Sequence, residues 1–135
     1  MANNQHSKGL HISLWVAQVL LALAFGMSGF LKISSPVEKL AEMGMTFVTS
    51  YDPATVQFIG VAELLAAIGL ILPSALRLFP ILTPLAATGL AIIMILATQY
   101  HVAHSESPIA NLVLFAIAAF VAWGRFKKAP IQPKK

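Results

Sequence analysis

The stretch Ala54–Leu76, ATVQFIGVAELLAAIGLILPSAL, carries a single charge, Glu63, and its reading decides the architecture. At a helical rise of 1.5 Å per residue, about 20 apolar residues cross a hydrocarbon layer roughly 30 Å thick. Three other stretches repeat the pattern. Ile12–Leu31 and Leu78–Tyr100 are uncharged, and the shorter Ile109–Gly124 follows Ser107-Pro108, a pair suited to a helix start. The expected spans are about 12–33, 54–76, 78–100 and 108–124. They define an all-α integral membrane four-helix bundle over residues 12–126. A cytoplasmic N-terminal segment, 1–11, precedes it and a basic cytoplasmic tail, 127–135, follows.

Composition agrees. Of 135 residues, 58% are hydrophobic and 10% charged, with a mean hydropathy of +0.79. A soluble domain carries about 25% charged residues to solvate its surface. A soluble enzyme and a disordered chain are therefore excluded. The absence of cysteine removes disulfides, thiol nucleophiles and Cys-ligated metal or iron–sulfur centres. Lys8 precedes an apolar run containing Ala22-Leu23-Ala24, but that run is longer than a secretory core, so it reads as a retained span.

The breaks between spans follow local chemistry. Pro73, Ser74, Arg77, Pro80 and Pro84 mark a tight turn that makes the second and third spans antiparallel neighbours. Ser35-Pro36-Val37-Glu38 has the form of a capping box. It opens a short amphipathic helix expected over Pro36–Thr49 at the membrane surface, with an irregular capping loop as the alternative. Residues 101–108 form the third connection.

Charge sets the orientation. One side holds Lys8, Arg77, Arg125, Lys127, Lys128, Lys134 and Lys135, while the other has Lys32 and Lys39 among the acids Glu38, Glu42, Asp52 and Glu106. The positive-inside rule then places both termini in the cytoplasm, in a multi-pass protein of the inner (plasma) membrane. This bias also accounts for the net charge of +4, so no nucleic-acid partner is expected. Trp15 and Trp123 fall near the inner interface, and Tyr51 and Tyr100 near the outer one.

Glu63 is the most informative residue. An ionisable group inside a span is costly unless it faces a cavity or a partner, and it marks a candidate functional site. One reading makes it a ligand-binding or proton-exchanging group; the other makes it a buried contact between helices. Lys32 ends the first span, where a lysine can snorkel to the headgroups. Yet Gly29-Phe30-Leu31-Lys32 and Gly60-Val61-Ala62-Glu63 share one pattern, with a glycine on the same helical face as the charge. A Lys32–Glu63 pair must bridge a nominal depth difference of about 13 Å. His101 and Asn111 gather near the outer end of the third and fourth spans, as rim groups or helix caps. His101 and His104 lack a third ligand, so no metal site is expected. Ala22-xxx-Gly26, Ala62-xxx-Ala66, Ala87-xxx-Ala91 and Ala118-xxx-Ala122 suit close helix packing.

Several of these segments together resemble the DoxX-like family of small four-span membrane proteins. They are Leu14-Trp15-Val16-Ala17-Gln18, Gly26-Met27-Ser28-Gly29-Phe30-Leu31-Lys32, Phe58-Ile59-Gly60-Val61-Ala62-Glu63-Leu64-Leu65, Gly69-Leu70-Ile71-Leu72-Pro73, Leu82-Thr83-Pro84-Leu85-Ala86-Ala87 and Asn111-Leu112-Val113-Leu114. The resemblance implies a four-helix inner-membrane protein, with polar positions at Lys32, Glu63, His101 and Asn111. The family takes its name from a subunit of a thiosulfate–quinone oxidoreductase, and some relatives accompany membrane redox or oxidative-stress systems. Lacking cysteine and any redox-centre motif, this chain is not expected to oxidise thiosulfate alone.

The leading expectation is an accessory or ligand-binding component of such a system. Its site is an outer-half polar pocket formed by Glu63, Lys32, His101 and Asn111. A quinone or another lipid-like molecule is the expected ligand, and a second copy or a membrane redox protein the expected partner. Two alternatives belong to other classes: a redox subunit or membrane isomerase using Glu63, and a structural scaffold without ligand chemistry.

Overall fold

Every long helix of the chain buries one narrow seam at alternating spacings of three and four residues, the pattern of helices packed side by side. The computed structural model describes residues 4–134. It contains α1 (Asn4–Ser34), α2 (Val37–Glu42), a 3-10 turn (Thr46–Thr49), α3 (Pro53–Leu76), α4 (Leu82–Ala103), α5 (Ile109–Trp123) and a closing π-helical turn (Gly124–Lys128). Residues 1–3 of the expected N-terminal segment and Lys135 of the expected tail lie outside the described residues.

The seam of α3 is Val56, Gly60, Glu63, Ala67, Leu70 and Ser74. That of α4 is Thr83, Ala87, Leu90 and Met94. Leu14, Gln18, Leu21, Phe25 and Lys32 are buried on α1, and Ala118 and Val121 on α5. Leu21, Phe25, Leu70, Ala87, Leu90, Met94, Ala118 and Val121 meet in one apolar core at mid-height. Buried polar side chains lie at its two ends: Lys32 and Glu63 at one, Gln18, Ser74, Thr83 and Arg125 at the other. We call these the acidic and basic ends.

The helices run alternately up and down. Helix α1 packs most extensively on α3, α3 on α4, α4 on α5, and α5 closes the ring against α1. The outward faces stay apolar, with Leu23, Phe58, Leu65, Leu96 and Ile109 all exposed. Among the described residues four helices are long and apolar enough to cross a membrane, and lipid is the surrounding that such a surface requires.

Several local readings change. Helix α1 starts well before Ile12, and α4 starts at Leu82 rather than Leu78. The later start follows from the turn, where Arg77 and Phe79 both take positive φ (56° and 49°) and interrupt the helical ladder. The surface helix expected over Pro36–Thr49 is two pieces, because Gly44 at φ 98° breaks it before the 3-10 turn. Its N-cap is Pro36 with no side-chain cap bond, so Ser35 does not form the expected capping box. Leu40, Val48 and Val56 bury themselves there with Leu31 and Phe47, forming a small apolar plug over the acidic end.

Pro73 lies inside α3 and has no N–H to offer the Gly69 carbonyl four residues earlier. Thr83 of α4 fills the gap: its hydroxyl donates to that carbonyl at 2.9 Å. Ser74 Oγ lies 2.7 Å from Thr83 Oγ1 and donates to it in turn. The second and third spans are thus joined by a repair of the α3 backbone as well as by packing.

Candidate functional site

The site at the acidic end starts from two glycines. A Cβ on Gly29 would lie 2.6 Å from the Gly60 carbonyl oxygen, and one on Gly60 would lie 2.8 Å from the Lys32 Cβ. Only glycine permits this approach, and it fixes the register of α1 against α3. Lys32 therefore sits level with Gly60, one turn from Glu63. Helical side chains lean toward the N-terminus of their own helix, which here points the Lys32 stem into the bundle.

Lys32 Nζ reaches Glu63 Oε1 at 2.7 Å and donates to Ser28 Oγ at 2.9 Å. Ser28 Oγ donates to the same Glu63 oxygen at 3.0 Å. The residues are 6% and 2% exposed, so this is a buried ion pair and Lys32 does not snorkel. The 13 Å gap disappears because nominal depth was counted from each span's start, whereas the glycine contact sets the true offset. Both bonds to the carboxylate fall on Oε1. Among the described residues Oε2 has no hydrogen-bond partner, and it is not a fully buried atom.

A cavity of about 370 Å³ adjoins the pair. Lys32, Glu63, His101 and Asn111 all line it, joined by Ser28 and Tyr100 on an otherwise apolar wall that includes Phe25, Ile59, Met94 and Leu114. The four sequence-selected residues thus come together from all four spans. Phe47 and Tyr51, contributed by the plug, line its mouth, and Lys32 Nζ stands 5.2 Å from the Phe47 ring centroid. The sequence puts Phe47 on the surface segment and Tyr51 at the outer interface but does not signal that either lines the cavity, since their place follows from the break at Gly44. Asn111 Nδ2 makes only a weak contact with Met94 Sδ at 3.6 Å.

The rim is latched by Glu106. His101 Nδ1 donates to Glu106 Oε1 and Thr46 Oγ1 to Oε2, each at 2.7 Å. These bonds, led by the Thr46 hydroxyl, hold the Glu106 carboxyl below its ordinary value of 4.5. Ser50 and Tyr100 hydroxyls lie 2.8 Å apart and add a second tie between plug and α4. His104 turns away, donating to the Tyr100 carbonyl and stacking on its ring at 3.9 Å. No group of three or more His, Asp or Glu suited to a metal occurs among the described residues.

The basic end holds a second buried cluster, of which the sequence marks Arg125 alone, as one of the charges that set the topology. Gln18 Nε2 donates to the Leu70 carbonyl at 2.6 Å, and Arg125 Nε donates to Gln18 Oε1 at 2.7 Å. Arg125 also reaches His11 Nδ1 at 3.0 Å and the Ala129 carbonyl at 2.7 Å. A side chain at Gly124 would strike Leu14 at 2.5 Å, so glycine lets the turn close and carry Arg125 inward. The available signal was Gly124-Arg125 at a span end together with Gln18 in an apolar run.

Fold and site define a multi-pass membrane four-helix bundle with a buried lysine–glutamate pair beside a polar-edged cavity. The DoxX-like family model matches residues 16–122, and the chain belongs to that family. No curated protein and no solved structure matches it significantly.

Proposed function

We propose that the protein binds an amphiphilic molecule of the quinone or lipid-like class in the acidic-end cavity. It would thereby serve as an accessory or ligand-binding component of a membrane redox or stress-related system. The observation that carries this reading is Glu63 Oε2, an acceptor without a hydrogen-bond partner among the described residues, on a side chain that lines a cavity of about 370 Å³. That volume lies within the range of roughly 300–1,000 Å³ usual for small-molecule sites. Glu63 accepts a hydroxyl or similar donor of the ligand, Lys32 offers a donor to a carbonyl, and His101 and Asn111 hold the far edge. The apolar wall takes the ring or tail. The positive-inside bias turns this end outward and leaves both termini in the cytoplasm.

The test is titration calorimetry of the full chain in phosphatidylcholine nanodiscs with a short-chain benzoquinol. Glu63→Gln should weaken binding at least tenfold, since a hydrogen bond to a charged group contributes about 1.5–3 kcal/mol. Equal affinity with a lowered melting temperature would instead make the pair a scaffold contact.

A further inference from the structure

We propose that the basic end is a binding site for one anionic phospholipid, whose phosphate sits between the α3–α4 turn and the C-terminal segment. The first ground is a charge imbalance. All five carboxylate side chains, Glu38, Glu42, Asp52, Glu63 and Glu106, belong to the acidic half of the chain's topology. Arg125 is nonetheless 2% exposed. Its donors go to an amide oxygen, an imidazole and two main-chain carbonyls, all neutral. Among the described residues its charge meets only these dipoles and the Trp15 ring, 5.9 Å from the guanidinium carbon, so an anion beside it would offset the remaining cost of burial.

The second ground is a cleft of about 490 Å³ beside it, lined by Arg125, Arg77 and Lys134 and by apolar Phe79, Ile81 and Ile131. The C-terminal segment walls the cleft through two bonds: Lys134 N–H donates to the Arg77 carbonyl at 2.8 Å, and Arg77 Nε to the Gln132 carbonyl at 2.7 Å. The terminal guanidinium nitrogens of Arg77 and the Lys134 ammonium have no hydrogen-bond partner among the described residues. Three cations around one cleft suit a phosphate. Phe79, 77% exposed on its rim, and Ile81 give an acyl chain a surface to follow, which a free phosphate ion would not use. Basic pockets among membrane helices take lipid headgroups by this chemistry.

The experiment is native mass spectrometry of the full chain released from vesicles of phosphatidylcholine mixed with phosphatidylglycerol. One phosphatidylglycerol should be retained in preference to phosphatidylcholine. Arg77→Gln, which keeps a donor for the Gln132 carbonyl, and Lys134→Gln should each lower retention about fivefold. Both residues are exposed, and Lys39→Gln at the opposite end should change nothing. Equal retention of the two lipids, or unchanged retention in both variants, overturns the proposal. So does complete displacement by inorganic phosphate, which would make the anion a free ion.

Discussion

The two ends of the bundle bury a cation by different means: an ion pair at one, a clamp of neutral dipoles at the other. At the acidic end Lys32 meets an opposite charge at 2.7 Å, and the carboxylate, with one oxygen unbonded among the described residues, lines a cavity. At the basic end Arg125 is held by neutral dipoles, with Gln18 passing its hold on to the α3 backbone at Leu70. The first arrangement has spare bonding capacity beside open space. The second spends its hydrogen-bonding capacity locking α5 and α1 to α3. Burial of charge is thus no sign of function by itself; unspent polar atoms beside a cavity are the better one.

The contrast breaks most visibly at Glu63. Glu63→Ala strands Lys32 in the bundle and should cost about 3–5 kcal/mol, whereas exchanging both partners for methionine should be near neutral. Thermal unfolding of the variants in lipid nanodiscs measures both. If the double variant were as unstable as Glu63→Ala, the pair would not be the source of the loss. Gln18→Leu tests the other end with a smaller effect: Arg125 Nε and the Leu70 carbonyl lose their partner, at about 1–3 kcal/mol. Quinol affinity should stay unchanged, because the cavity is far from this cluster; a parallel loss of affinity would erase the distinction.

The smallest effect concerns the rim. Thr46 and His101 lower the folded-state pKa of Glu106, so the latch contributes above the ordinary glutamate value of 4.5 and is lost as pH falls through the lowered one. Hydrogen-exchange protection at Thr46–Thr49, taken relative to the intrinsic rate at each pH, should therefore fall on acidification below pH 4.5. Thr46→Val should remove most of that dependence. A pH-independent protection factor in the parent protein would show that the plug is held by Leu40, Val48 and Val56 alone.

The fold was legible because membrane spans announce themselves by length, with few polar residues, Glu63, Lys32, His101 and Asn111 among them, interrupting the apolar helices on the acidic side. The identity of the polar residues was legible for the same reason. Their contact was harder to read, since it depends on how far α1 slides along α3. That slide is set by Gly29 and Gly60, whose meeting is tertiary although both were visible as a shared pattern. The plug was read as one helix because Val37, Leu40, Ala41 and Phe47 keep helical spacing, and a single positive φ at Gly44 defeats that periodicity. Arg125 was hidden by its company, because a basic residue among Lys127 and Lys128 reads as an interfacial charge until the Gly124 turn carries it inward.

The proline inside α3 bears on how the chain assembles. Helices in a membrane are expected to complete their own backbone bonding first and to associate afterwards. Helix α3 cannot, since one of its carbonyls waits for a hydroxyl that arrives only with α4. The hairpin of the second and third spans is accordingly the first pairing this protein has reason to make. Until it forms, the chain carries an unmet polar group at Gly69, and a Thr83→Val chain would be slow to leave the insertion machinery rather than merely less stable once folded.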